Sequence, residues 1–123
     1  MNDTVRLSVP ADPSYARPVR MMAANLAVLA GFSLDDVEDA RMAVEEGFVW
    51  CCATSPEVCE VSFDVSEDRI RAEFALGPAD PLASGDPAYA YAELILASVC
   101  DEYELDPESG RLVLVKHRGE LDA

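Results

Sequence analysis

The sequence predicts an α+β fold, a two-layer sandwich with a mixed, mostly antiparallel sheet and its helices on one face. Two observations predict it. Short runs of alternating apolar and polar residues come grouped as hairpins, and the segments between them repeat their apolar residues at steps of three and four. At 123 residues, half of them hydrophobic, the chain is long enough to bury one core and reads as a single domain over 1–123.

Thr4 to Pro10 opens the pattern, with Val5, Leu7 and Val9 on one side of a strand and Arg6 and Ser8 on the other. Asp12 or Ser14 then caps a helix whose stripe is Tyr15, Val19, Met22, Leu26 and Leu29; Pro18 is tolerated near its start, and Gly31 ends it. Ser33, with Asp36 three residues on, caps a second helix, and Asp35, Asp36, Glu38 and Asp39 suit its positive end. Leu34, Val37, Val44, Phe48 and Cys51 or Cys52 form its apolar stripe, and Ser55-Pro56 stops it.

Val58 to Val65 and Arg69 to Leu76 read as a hairpin around Ser66-Glu67-Asp68. A loose segment rich in proline and glycine follows, Gly77 to Pro87, after which Asp86-Pro87 starts a third helix. Tyr91, Leu94, Ile95, Ser98 and Val99 mark the expected buried side of that helix. Glu102 to Leu105 and Arg111 to His117 close the chain as a second hairpin. The expected core includes Val5, Leu7, Met22, Leu26, Val44, Phe48, Phe74, Leu94 and Val113.

Charge narrows the function. The chain carries 9 Lys+Arg against 24 Asp+Glu, a net −15, which repels phosphate backbones and anionic lipid and suits a basic protein surface. Nucleic acid and membrane are therefore not expected partners. No apolar run is long enough to span a bilayer, and Met1-Asn2-Asp3 is unlike the start of a signal peptide, so a cytoplasmic location is expected. Cys51, Cys52, Cys59 and Cys100 lack C-x-x-C spacing and are expected as reduced thiols, with no metal site.

On the second helix Asp35, Asp39, Met42, Glu46 and Trp50 share one face. A carboxylate in a cleft can act as a general base, whereas a solvated acidic face does nothing; Trp50 stands out on that face because a large aromatic normally packs against something.

The runs Val9-Pro10-Ala11-Asp12-Pro13-Ser14-Tyr15, Val19-Arg20, Ala30 through Asp39 and Ala43-Val44-Glu45-Glu46 resemble the N-terminal half of anti-sigma-factor serine kinases, members of the histidine-kinase-like (GHKL) ATPase superfamily. Leu94-Ile95-Leu96, Val99 through Glu104 and Leu112 through Lys116 resemble the same family's closing helix and hairpin. The resemblance implies the family's sandwich fold. It also implies where a Mg-ATP site would lie. Glu46 falls on the family's catalytic glutamate, but Trp50 falls on its magnesium-binding asparagine and has no oxygen for a hard cation. Ala75 falls on the adenine-reading aspartate, and Gly77 is the surviving glycine of that motif. Where the family has a glycine-rich phosphate loop, this chain has Ala88-Tyr89-Ala90-Tyr91-Ala92-Glu93. No Lys or Arg occurs between Arg71 and Arg111 to meet a triphosphate.

The expectation is thus an anti-sigma-type regulatory protein acting by protein contact, with Glu46 a vestige, ATP binding lost and no cofactor. The alternative is an active serine protein kinase that uses Mg-ATP to phosphorylate an anti-anti-sigma partner. The resemblance implies a sigma factor or an anti-anti-sigma protein as partner, and admits a homodimer.

Overall fold

A computed structural model describes residues 2–119. Met1 of the N-terminal reading and residues 120–123 of the single-domain reading lie outside the described residues. The elements follow in the expected order: β1 (Asn2–Pro10), α1 (Ala16–Leu29), α2 (Leu34–Ala53), β2 (Val58–Ser66), β3 (Arg69–Ala75), α3 (Pro87–Val99), β4 (Glu102–Asp106) and β5 (Arg111–His117). Short 3-10 turns at Pro13–Tyr15 and Pro81–Ser84 precede α1 and α3.

Local chemistry sets the helix ends. The Asp12 carboxylate accepts from Ser14 N–H and caps the first turn, so α1 itself starts only at Ala16. The Ser33 hydroxyl accepts from Asp36 N–H at 3.2 Å and caps α2. Gly31 adopts φ 83° immediately beyond the α1 cap, a left-handed conformation that glycine takes without a Cβ clash. Asp86 caps α3, with Pro87 as its first residue.

The sheet has five strands in the order β1-β2-β3-β5-β4, and every pairing is antiparallel. It is therefore not mixed, which corrects one part of the sequence reading. The single-helix crossover through α3 does return β4 in the direction of β3, but β5 inserts between them and removes the parallel contact.

Strand alternation sends Cys59, Val61, Phe63 and Val65 of β2, Ile70, Ala72 and Phe74 of β3, and Leu112 and Leu114 of β5 to the helix side. There they form one cluster with Val19, Ala23, Leu26 and Ala27 of α1, Val37, Val44, Phe48 and Cys51 of α2, and Ala92, Leu96 and Val99 of α3. The opposite face carries polar residues such as Asp64, Arg71 and Glu73. Gly47 marks the closest approach of α2 to the sheet, since a Cβ there would lie 2.7 Å from the Phe74 ring and 2.9 Å from the Leu114 side chain.

Several expected core residues are placed elsewhere. Val5, Leu7 and Met22 are only partly buried against the cluster, and Val113 lies on the outer sheet face opposite Glu73. Leu34 is 79% exposed in the first turn of α2, and Leu29 is exposed at the end of α1. On α3 the buried face is Ala92, Leu96 and Val99; Tyr91, Leu94 and Ser98 face solvent. That helix is apolar almost all round, so periodicity could not choose its inward face, and the expected stripe was rotated by about one residue.

Candidate functional site

The site is built where α2 ends and β3 leaves the sheet. Thr54, 3% exposed, caps α2. Its hydroxyl donates to the Cys51 carbonyl at 2.6 Å and accepts from Gly77 N–H at 2.7 Å, while its own carbonyl accepts from Ala79 N–H at 2.9 Å. The segment after β3 is thus stitched to the helix end. A Cβ on Gly77 would lie 2.4 Å from both the Thr54 carbonyl oxygen and the Pro56 nitrogen, so only glycine lets the two backbones meet. Ser55 turns the chain away with φ 58°.

Trp50, one turn before Thr54, is 4% exposed despite its size. Tyr89 from the first turns of α3 meets it edge-on, with ring centroids 6.4 Å apart and planes at 85°. Trp50, Thr54, Gly77, Asp80, Leu82 and Leu105 line a cavity of about 360 Å³. Asp80 is its one charged lining residue among the described residues, and that carboxylate already accepts from Leu82 N–H.

The sequence candidates do not all converge here. Trp50 and Gly77 share the cavity wall. Ala75 is exposed and lines a separate groove of about 300 Å³ with Arg6, Ser8, Glu60, Ser62 and Glu73. Only its carbonyl turns to the helix side, where it accepts from Cys51 Sγ at 3.3 Å. Glu46 is half-buried one turn before Trp50 and has no hydrogen-bond or ion-pair partner among the described residues. Burial, and then the neighbouring Glu45 carboxylate, raise its pKa above the ordinary value. Glu45 is instead bound to Arg20 of α1 at 3.0 Å.

The stretch Ala88 to Glu93 forms the opening turns of α3, where Asp86 takes the N–H groups of Ala88 and Tyr89 through its carboxylate and its carbonyl, and the N–H groups that follow bond within the helix. Of the acidic face on α2, Asp39 pairs with Lys116, while Asp35 and Met42 face solvent. Sequence reasoning missed Thr54 altogether. Its position immediately before Ser55-Pro56 was the available signal, because a threonine at a helix end can bond back to the last turn.

No protein-family model matches the sequence. A 73-residue segment is 36% identical to the serine-protein kinase RsbW of Bacillus velezensis, covering 55% of this chain and 46% of that kinase. The match thus spans about half the length of the relative. A solved structure of the RsbU and RsbW domains of Rv1364c from Mycobacterium tuberculosis superimposes with a TM-score of 0.65 over 94% of this chain and 32% of that one, at 16% identity. This chain is similar to RsbW in sequence over that segment. The resemblance thus extends to that serine-protein kinase over the matched segment, and the α+β sheet-and-helix arrangement is shared with the solved structure. No helix among the described residues is long and apolar enough to cross a membrane.

Proposed function

We propose that this RsbW-like chain is a regulatory protein of the anti-sigma type that acts by binding a partner protein and has lost ATP binding. The observation that carries the reading is the packing of Trp50. An indole clamped by Tyr89 fills the position where the resemblance calls for a magnesium ligand. Among the described residues, no cationic side chain lines the cavity beside it, and the Asp80 carboxylate there repels phosphate. Each lost charged or bidentate contact to nucleotide is worth about 1.5–3 kcal/mol, so two losses weaken binding by roughly a hundredfold or more.

The partner implied by the resemblance is a sigma factor or an anti-anti-sigma protein, and a net charge of −15 suits a basic patch on it. Active phosphorylation of an anti-anti-sigma serine is the second reading. Glu46 favours it, being half-buried, unpaired and raised in pKa as a general base would be.

Calorimetric titration separates the two. On the binding reading, Mg-ATP gives no saturable heat at micromolar concentrations, and sigma-factor or anti-anti-sigma proteins from the same genome bind without nucleotide. A low-micromolar Mg-ATP site that disappears in Glu46→Ala, with phosphate transfer to a partner serine, overturns it.

A further inference from the structure

The four cysteines are all free, yet two of them form a pair. Cys51 on the last turn of α2 and Cys59 at the start of β2 are both fully buried, and the Cys59 thiol donates to Cys51 Sγ across 3.5 Å. Cys51 in turn donates to the Ala75 carbonyl at the end of β3, at 3.3 Å. This sulfur chain crosses from β2 through α2 to β3 beside the Thr54–Gly77 contact that closes the cavity.

We propose that Cys51 and Cys59 are a peroxide-responsive dithiol that closes to an intramolecular disulfide and thereby releases the Cys51 link to β3. The Cys51 thiolate attacks one oxygen of hydrogen peroxide, the O–O bond breaks, and a sulfenic acid forms as the first water leaves. The Cys59 sulfur then attacks the Cys51 sulfur, an S–S bond forms, and the sulfenic hydroxyl leaves as the second water. The two sulfurs lose two electrons and peroxide gains them; the two thiol protons end in water.

The polarity of the pair suits these roles. The hydrogen bond from Cys59 lowers the Cys51 pKa, whereas the same bond, with burial, raises that of Cys59. Burial pushes the other two thiols, Cys52 and Cys100, up to about 11, which disfavours them as competing nucleophiles. Peroxide is small enough to reach Cys51 when the last turn of α2 opens locally. Once oxidised, Cys51 has no proton for the Ala75 carbonyl, so the end of β3 loses this one of its ties to α2, while the Thr54 bonds to Gly77 and Ala79 remain.

Full-length protein treated with hydrogen peroxide and then unfolded under thiol-alkylating conditions provides the test. Peptide mapping is expected to find one Cys51–Cys59 linkage, reversed by dithiothreitol, with Cys52 and Cys100 alkylated. Trp50, the sole tryptophan and adjacent to Cys51, is expected to lose emission on oxidation and regain it on reduction. The double variant Cys52→Ala with Cys100→Ala leaves the pair intact and is expected to oxidise like the parent. Four alkylated thiols after treatment, a linkage through Cys52 or Cys100, a chain-to-chain disulfide, or a sulfinic acid without any S–S bond would each overturn the proposal.

Discussion

The Thr54 hydroxyl accepts a hydrogen bond from Gly77 N–H at 2.7 Å, joining residues 23 positions apart at the mouth of the cavity. Two consequences follow for mutation. Gly77→Ala forces a Cβ into backbone atoms that cannot rotate aside, so the helix end and the strand exit must separate. Thr54→Val keeps the shape but leaves Gly77 N–H without its acceptor, at a cost of about 1–3 kcal/mol. Urea unfolding is expected to show a lower midpoint in both variants, with the larger loss in Gly77→Ala.

Gly47→Ala tests the same principle against side chains instead of backbone. The added methyl meets the Phe74 ring and Leu114, both held in the core cluster. Overpacking of this kind costs about 1–3 kcal/mol. Thermal melts are expected to place this variant below the parent and above Gly77→Ala, because rings and methyls can shift where a peptide group cannot.

Lys116 occupies the helix side of β5 for a reason visible in the strand alternation: Leu112 and Leu114 precede it at steps of two. Its ammonium, on a side chain 15% exposed, lies 3.2 Å from Asp39 and 3.8 Å from both Asp36 and Asp101. Burial opposes its charge, but the Asp39 hydrogen bond and the three carboxylates prevail and raise its pKa. A raised folded-state pKa means that this contribution is complete below the unfolded lysine value, about 10.4, and is lost as pH rises through the folded value. Lys116→Met is expected to lower stability at neutral pH and to flatten the alkaline limb of a stability profile, read by urea midpoints at successive pH values.

Glu46 has the opposite sign. Its raised pKa shows that the folded state disfavours the carboxylate, so stability from this group grows as pH falls through its titration and is smallest at neutral pH. Glu46→Gln is expected to melt slightly higher than the parent at pH 7 and to differ less at pH 3, as followed by circular dichroism. A melting point lowered at neutral pH would show that the carboxylate is held by a favourable contact.

Much of this arrangement was legible in the sequence, and the exceptions have physical causes. Caps at Asp12, Ser33 and Asp86, the stop at Ser55-Pro56 and the hairpins all rest on local chemistry, which a sequence displays directly. The sheet's uniform antiparallel pairing did not, because the insertion of β5 between β3 and β4 is a long-range choice. In the candidate site, the oddness of Trp50 was readable, but its Tyr89 partner was one of two tyrosines on a helix of ambiguous phase. Ala75 faces the outer groove and only its backbone reaches Cys51, a relationship that residue spacing cannot encode.

That ambiguous phase gives the clearest contrast between neighbouring positions. Leu94 and Leu96 are both leucines on α3, yet Leu94 is 65% exposed and Leu96 is 2% exposed. Leu96→Lys places an ammonium among Leu, Val and Phe side chains with no partner, a change in the class that unfolds small domains. Leu94→Lys moves a charge into water and is expected to alter stability by no more than about 0.5 kcal/mol. It also breaks up an exposed apolar face formed with Tyr91. Paired circular-dichroism melts decide the phase of the helix: a folded Leu94→Lys beside an unfolded Leu96→Lys supports the packing described, and the reverse result would return the helix to the orientation first expected from its spacing.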